Sequence, residues 1–427
     1  MDIIIYRGTK EIGGTLIELC TSTTRILIDA GYPLFLNNQP IAEDVAKKSY
    51  TELLALGVLP DIRGLYAWDQ RGFDAVIISH AHIDHYGLLK YIDPLIPVYL
   101  SQGTETLIRV SQQFQVCEKF ELNSRRFKMY EMFIIGDISI TPYLMDHSAF
   151  DAAAFEISAE GKSVLYSGDF RGHGRKPICL NRFIERTKKD ADILLIEGSV
   201  LGRAENCHLS ESEVEEVVIK RMTGLNTPLL FQCSSQNIDR LVSFYRAALQ
   251  LRRTMVIDVY TANVLYELHK LGNRLPYPSN NYPGIRVFFP YRLTQKIFNE
   301  IGEEYAKRFS PFHISRKKLE DSQHKVVMLC RPSMLSDIEK SNLKNGFFIY
   351  SLWSGYRYSN YQKRFEKHLE ESGFTLEALH ASGHATLADL QRVINELNPK
   401  RIVPIHTMYP QDFLAFSDKA VLIDDGV

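Results

Sequence analysis

The sequence predicts an α/β protein built of two units, on three observations. Short apolar runs broken by glycine and small polar residues dominate the chain as far as residue 197. One of them, Ala75-Val76-Ile77-Ile78-Ser79, ends directly on a cluster of histidines. Beyond about residue 200 the pattern changes to alternating strand and helix, the signature of a parallel α/β unit.

In chain order, residues 3–6, 15–20 and 25–29 read as strands. Gly8, the Gly13-Gly14 pair and the polar residues 21–24 punctuate them. Residues 42–56 are more helical. Residues 74–79 form a buried-strand pattern, and residues 136–144, 153–157, 163–167 and 193–197 read as further strands. Ser210 followed by Glu213 is a capping box, and Val214, Val217 and Val218 continue with helical spacing. Residues 228–232, 239–251 and 254–258 read as strand, helix, strand. Residues 275–290, rich in Pro, Asn and Gly, are expected to be loop. Residues 325–330 and 346–350 are two more strands. Residues 376–380, 386–397 and 401–405 close the chain as strand, helix, strand, with no internal repeat along the way.

Composition excludes several classes. The 427 residues are 45% hydrophobic and 24% charged, the balance of a globular chain long enough for two cores. No apolar run approaches bilayer length, and residues 1–6 read as a strand with no signal-peptide pattern, so no membrane partner is expected. Six cysteines lie scattered without a CxxC pair, which argues against a disulfide framework or a thiolate zinc site and for a cytoplasmic location. The net charge of -1 gives no overall attraction for a polyanion, so nucleic acid would have to be held by local basic patches.

The chemistry starts at His80-Ala81-His82-Ile83-Asp84-His85, an HxHxDH motif at the end of a buried strand. Two histidines two apart point the same way from extended chain and can reach one metal ion. Asp84 and His85 lie where the chain turns and can reach a second. Imidazole and carboxylate together suit zinc or a similar divalent ion. Single residues at the ends of other strands could complete such a site: His147 in Met145-Asp146-His147-Ser148, Asp169 in Ser167-Gly168-Asp169, and Asp29 in Ile28-Asp29-Ala30-Gly31. A lone histidine after a strand is more often a loop or core residue, so these gain weight only from their order and context.

That order, IDAG, HxHxDH, strand-terminal His, SGD, resembles the metallo-β-lactamase superfamily. Glu197 in Leu195-Ile196-Glu197-Gly198 resembles motif A of the β-CASP nucleases, Ser382-Gly383-His384-Ala385 resembles motif B, and Pro404-Ile405-His406-Thr407 resembles motif C. The opening EIGGTLIEL, the internal SSQNIDRL and the run SGHATLADLQRVINELNPKRIVPIHT are similar to the bacterial ribonuclease J family. The resemblance implies an αββα metallo-β-lactamase sandwich with an inserted α/β β-CASP cap: residues 1–204 and 352–427 as two parts of one domain, and 205–351 as the cap. It implies that His80, His82 and His147 hold one metal ion, that Asp84, His85 and His406 hold another, and that Asp169 bridges them. Asp29 would orient ligands from behind. The ions would be two divalent metals, Zn²⁺ or Mn²⁺. Asp84, Glu197 and His384 are the candidate catalytic groups, with His384 the acid for the leaving group. Ser382, Thr386 and Arg171 are candidate phosphate contacts.

Thr386 and Asp389 have the spacing of a capping box, so a helix should begin just after His384, its N–H groups available to a phosphate. The plainer reading is a strand-helix turn. Arg171, His173, Arg175 and Lys176, and the runs Arg252-Arg253 and Arg316-Lys317-Lys318, are either nucleic-acid contacts or solvated faces. Tyr356, Tyr358 and Tyr361, interleaved with Arg357, could stack bases or pack a domain seam. Two features depart from ribonuclease J: Thr407-Met408 stands where Gly-Glu is usual, and the family's C-terminal dimerisation domain has no counterpart before Val427. The oligomeric state is therefore open. The expected activity is hydrolysis of RNA; the alternatives are a single-stranded DNA nuclease, a small-molecule metallo-hydrolase and a non-catalytic binding subunit. Histidine at motif C favours RNA, while a cap insert and a full ligand set argue against the last two.

Overall fold

The computed structural model describes residues 1–36, 39–41, 45–202, 209–272 and 274–426. Its first layer is a six-stranded sheet in the order Asp2–Arg7, Leu16–Cys20, Arg25–Ile28, Ala75–Ile77, Val98–Leu100, Ser124–Arg126. A second six-stranded sheet runs Ile402–Ile405, Ile193–Glu197, Lys162–Tyr166, Ala153–Ala159, Ile138–Leu144, Phe133–Ile135. The two face each other because alternate residues on each strand are apolar. Ile5, Ile17, Ile26 and Ile77 from the first meet Ile140, Phe155, Val164 and Tyr166 from the second in one shared core. Helix Gln102–Gln113 covers the outside of the first sheet. Helices Ile178–Arg186 and Leu387–Leu397 cover the outside of the second, completing an αββα sandwich.

The sandwich is discontinuous in sequence. Strand Ile402–Ile405 pairs in parallel with Ile193–Glu197, more than 200 positions earlier, with Glu197 opposite Ile405. Between them lies an all-parallel sheet in the order Ile285–Phe288, Thr254–Asp258, Val326–Leu329, Leu229–Gln232, Phe347–Tyr350, Thr375–Ala378. Helices Ile238–Gln250 and Val259–His269 bury one face of it, and Phe365 and Leu369 of helix Asn360–Glu371 bury the other. Both expected capping boxes, Ser210 with Glu213 and Thr386 with Asp389, are formed.

Two expectations change. Residues 275–290 are not all loop: Ile285–Phe288 pairs with Thr254–Asp258 as an edge strand, which the surrounding Pro, Asn and Gly masked. The return to the sandwich also comes later than residue 352. Thr375–Ala378 still pairs with Phe347–Tyr350, because two parallel neighbours need a crossover and helix Asn360–Glu371 is that crossover. The other expected boundary, at residue 204, lies outside the described residues. Among the described residues no helix is long and apolar enough to cross a membrane.

Phe155 sits at the centre of the sandwich, edge-on to Phe127 at 5.6 Å and stacked over Tyr166 at 6.1 Å. Phe155→Ala should lower sandwich stability by about 3–5 kcal/mol. Phe155→Leu, which keeps most of the volume, should cost less than about 1.5 kcal/mol. Urea unfolding followed by near-ultraviolet circular dichroism measures both.

Candidate metal centre

The site forms where strand ends of both sheets meet. His80 follows Ala75–Ile77, His147 follows Ile138–Leu144, Asp169 follows Lys162–Tyr166, and His406 follows Ile402–Ile405. His82 caps the short helix Ile83–Tyr86, which carries Asp84 and His85. Their donor atoms fall into overlapping groups, each within 4.8 Å: His80, His82 and His147; His80, His85 and Asp169; and Asp84, His85 and His406. The seven residues singled out in the sequence therefore converge on one space.

In the first group His82 Nδ1 lies 3.2 Å from His80 Nε2 and 3.1 Å from His147 Nε2. In the second, His85 Nε2 lies 3.2 Å from Asp169 Oδ2, and in the third, His406 Nε2 lies 3.3 Å from Asp84 Oδ2. Asp169 stands between the groups: its Oδ2 is 3.8 Å from both His80 Nε2 and His147 Nε2, and its Oδ1 is 3.6 Å from His406 Nδ1. His85 Nε2 and Asp169 Oδ1 are buried without a hydrogen-bond partner. Burial of unpaired polar atoms is costly, and a cation between them removes the cost.

Protonation states agree for three of the imidazoles and for the carboxylates; burial would lower His85 too, but the Asp169 and Asp29 carboxylates raise it well above its ordinary value. Burial, then the neighbouring imidazoles, holds His80 well below its ordinary value, and burial takes His82 down to about 4. Burial also lowers His147. Burial alone would raise Asp84, but the hydrogen bond from His406 and the charges of His85 and His406 keep it ionised. Asp169 is likewise held low against burial, by His406 and His85. Neutral imidazoles and ionised carboxylates are the forms that bind divalent metals.

The outward nitrogens are also tethered, as metal-ligating imidazoles require. His85 Nδ1 pairs with Asp29 Oδ2 at 2.7 Å, His406 Nδ1 with Ser199 Oγ at 2.8 Å, His147 Nδ1 with the Gly383 carbonyl at 2.5 Å, and His80 Nδ1 with Ser79 Oγ at 3.0 Å. The Asp29 carboxylate also accepts from Ser79 N–H, Ser79 O–H and the Tyr166 hydroxyl, at 2.7, 2.8 and 2.5 Å. Ser79, Tyr166, Ser199 and the Gly383 carbonyl were missed in the sequence. A serine or tyrosine beside a strand end carries no pattern that separates it from packing.

Glu197 is buried, and its carboxylate accepts from the amides of Phe170, Ser199 and Ala385. Its Oε2 lies 3.0 Å from His384 Nδ1. His384 is also 3.7 Å from Asp169, at the edge of the ligand cluster.

The family comparisons agree with this geometry. A family described as a beta-lactamase superfamily domain matches residues 24–221, and one described as a Zn-dependent metallo-hydrolase RNA specificity domain matches residues 362–420. Residues 24–221 thus carry a beta-lactamase superfamily domain. The chain's relatives include ribonuclease J of Sinorhizobium meliloti, 22% identical over 365 residues, which cover 82% of this chain and 60% of that protein. Ribonuclease J of Mycoplasma genitalium is 22% identical over 422 residues, 95% of this chain and 67% of that one. The chain thus spans about two thirds or less of the length of these two relatives. A protein of unknown function from Enterococcus faecalis V583 has the same fold, with a TM-score of 0.80 at 21% identity over 100% of this chain and 98% of that one. The two matched segments supply the cluster jointly: His80 to Glu197 fall in the first, His384 and His406 in the second.

The expected phosphate contacts are corrected. Arg171 is fully buried. Its guanidinium donates to Asp146, Glu211, Asp239 and the Ser382 carbonyl at 3.1, 3.2, 2.9 and 3.1 Å, so it has no face for substrate. Thr386 spends its hydroxyl and amide on Asp389, and that carboxylate already sits at the helix N-terminus. Ser382 braces the loop, its hydroxyl accepting from the His384 amide. Arg175 and Lys176 pair with Glu215 and Asp239. Arg253 donates to the carbonyls of Thr227 and Leu225, and Arg316 pairs with Asp337.

Arg171 instead belongs to a buried ionic cluster that joins sandwich to cap. Glu211 accepts from Arg171 and, through both oxygens, from Arg240 at 3.0 Å. Arg240 in turn donates to the Ala381 carbonyl at 3.0 Å. The two arginines thus hold the loop that delivers His384. Burial would raise Glu211, but Arg240 and then Arg171 bring it down to about 2. A carboxylate whose folded value is depressed stabilises above its ordinary value of 4.5, and that contribution is lost as pH falls toward 2. Glu211→Gln should therefore cost about 3–5 kcal/mol at pH 7, by leaving two buried arginines undercompensated. The gap in melting temperature between wild type and variant should stay constant from pH 7 down to about 5 and narrow below that, which differential scanning calorimetry reads.

Proposed function

We propose that the chain is a metal-dependent ribonuclease that hydrolyses RNA phosphodiester bonds at this cluster. The observation that carries the reading is the convergence itself. Residues from the segment matching an RNA specificity domain, His384 and His406, complete a donor set begun by His80, His82, Asp84, His85, His147 and Asp169. The names of the relatives support the substrate class, since relatives similar over most of this chain are named ribonuclease J.

His80, His82 and His147 would hold one ion and Asp84, His85 and His406 another, with Asp169 facing both. An imidazole-rich set favours Zn²⁺, with Mn²⁺ the second candidate. Two such ions supply an activated water near neutral pH and neutralise phosphate oxygens as charge builds. The protein's own groups do the rest. Asp29 fixes the His85 ring through its Nδ1, and Ser199 does the same for His406. Glu197 accepts from His384 Nδ1–H, which orients the ring so that, when doubly protonated, it would give its Nε2 proton to the departing ribose oxygen and be left as the neutral Nδ1–H form. The partly exposed position of His384, at the rim of a buried cluster, suits a group that must reach substrate.

The metal content should be two ions per chain in protein prepared without chelator, and Asp84→Ala should lower it. Mass spectrometry of metals decides this; one ion or none after reconstitution with Zn²⁺ or Mn²⁺ would refute the two-ion reading.

His384→Ala should keep both ions yet slow single-turnover cleavage by about 10²–10⁴-fold, the usual contribution of a general acid. Saturating enzyme separates this from weaker binding. End-labelled RNA and single-stranded DNA, run side by side, test the substrate class, and the product ladder shows whether cuts are internal or begin at an end. Cleavage of DNA alone, or a variant that loses metal, overturns the respective assignment.

A further inference from the structure

The segment Ser351 to Tyr361, SLWSGYRYSNY, forms a short helical turn, Ser354–Tyr358, ahead of helix Asn360–Glu371. Its aromatic rings are not packed away: Trp353 is 38% exposed, Tyr356 56%, Tyr358 77% and Tyr361 54%. The domain seam elsewhere looks different. There Phe114 of the sandwich meets Tyr260 of the cap at 5.2 Å, and both are buried. Rings that merely closed the seam would resemble that pair.

The exposed rings lie beside the metal cluster. Phe35, on the sandwich, meets Trp353 edge-on at 6.4 Å, and Trp353 meets Tyr356 edge-on at 5.4 Å. The residue before Phe35 and the ligand Asp84 flank Gly13 from two sides: a side-chain carbon at Gly13 would fall 2.8 Å from Leu34 Cγ and 3.1 Å from Asp84 Cβ. Gly13, with φ of +89°, lets the chain pass between them.

The turn is rigid. The Tyr350 hydroxyl and the Tyr356 amide both donate to the Trp353 carbonyl, at 3.0 and 3.2 Å. Arg357 makes two bonds of 2.9 Å to Glu366 and lies 5.0 Å from the centre of the Tyr350 ring. Arg357 is thereby committed to the fold and is not a phosphate ligand. What the turn presents outward is aromatic.

We propose that Trp353 and Tyr356, backed by Phe35, form a stacking platform for the bases of single-stranded RNA whose backbone passes the metal cluster. This rests on the ribonuclease reading and specifies its substrate: an unpaired strand, gripped by base faces next to the scissile phosphate. Every base has a π-face, so the platform takes any sequence, whereas a duplex, its bases already stacked on one another, is excluded. It also answers the near-neutral charge of the chain and the commitment of Arg171, Arg175, Lys176, Arg253 and Arg316 to internal partners. With those side chains engaged internally, stacking replaces part of the phosphate attraction.

The test uses the metal-loaded protein and a short fluorescein-labelled phosphorothioate RNA strand, compared with the same strand bearing abasic riboses beside the central linkage. Fluorescence anisotropy should show wild type binding the base-bearing strand about tenfold or more tightly than the abasic one. Trp353→Ala/Tyr356→Ala should lose that preference, and Trp353→Phe/Tyr356→Phe should keep most of it. Equal binding of the two strands by wild type, no binding of either, or an alanine variant that keeps the preference would overturn the platform. The wild-type comparison decides even if the alanine variant fails to fold. Base-dependent binding without cleavage of an ordinary RNA counts against the ribonuclease reading alone; cleavage without base dependence counts against the platform alone.

Discussion

Seven donor atoms crowd one buried space, and the rest of the molecule is arranged around that fact. Imidazole nitrogens 3.1–3.2 Å apart and carboxylate oxygens beside them repel unless protons or cations lie between. The chain opposes relaxation by tethering four of the imidazoles from behind. Asp29 illustrates this best. It accepts four hydrogen bonds, and through them it ties the first sheet to Ser79 and His85 and the second sheet to Tyr166. One carboxylate therefore sets the relative position of the two layers and the rotation of a ligand ring. Its backbone is left-handed at φ 57°, as is that of His406 at φ 49°. Non-glycine residues adopt this conformation at a cost, and here it turns the chain sharply at strand ends so that the side chains face the cluster.

The ionic cluster extends the same logic to the cap. Sandwich and cap are joined by apolar contact at Phe114 and Tyr260, but such contact tolerates small sliding. Arg171 and Arg240 do not, because each guanidinium is directional and both share Glu211. Their remaining donors grip the carbonyls of Ala381 and Ser382. Gly383 follows at once and receives His147, and His384 comes next, on Glu197. Four successive residues, Ala381 to His384, thus link the cap, a ligand of the cluster and its rim. Movement of the cap would be felt at the site through this loop.

Much of this was legible in the sequence, and the pattern of success has a physical basis. HxHxDH, the strand-end residues and both capping boxes are local: the neighbours that give them meaning lie within a few positions. The order of strands around residues 25–29, 74–79 and 193–197 could be read from apolar periodicity. What could not be read depends on partners far away in sequence. Arg171 looked like a phosphate contact because it follows Asp169 in a basic stretch; only the fold shows Glu211 and Asp239 closing on it. Thr386 looked like an anion site because helix starts attract anions, but the anion is its own Asp389. The late return to the sandwich was hidden because Thr375–Ala378 reads alike as a strand of either sheet, and only pairing distinguishes them.

The insertion of the cap follows from the same geometry. His406 must sit across from Asp84, and His384 against Glu197, so the chain has to return to the strand that ends at Glu197. It does so by laying Ile402–Ile405 parallel to Ile193–Glu197. A parallel neighbour cannot be reached by a tight turn and needs a crossover. The helix Leu387–Leu397 covers the sheet on that return, and everything from Glu211 to Ala378 is inserted before it. A domain placed there emerges beside the ligands and is held at both ends by them. A domain appended at a terminus would be fixed at one end only. The loop Ala381 to His384 and the turn Ser354–Tyr358 can both border the cluster because the chain leaves the sandwich near Glu197 and re-enters it before His406.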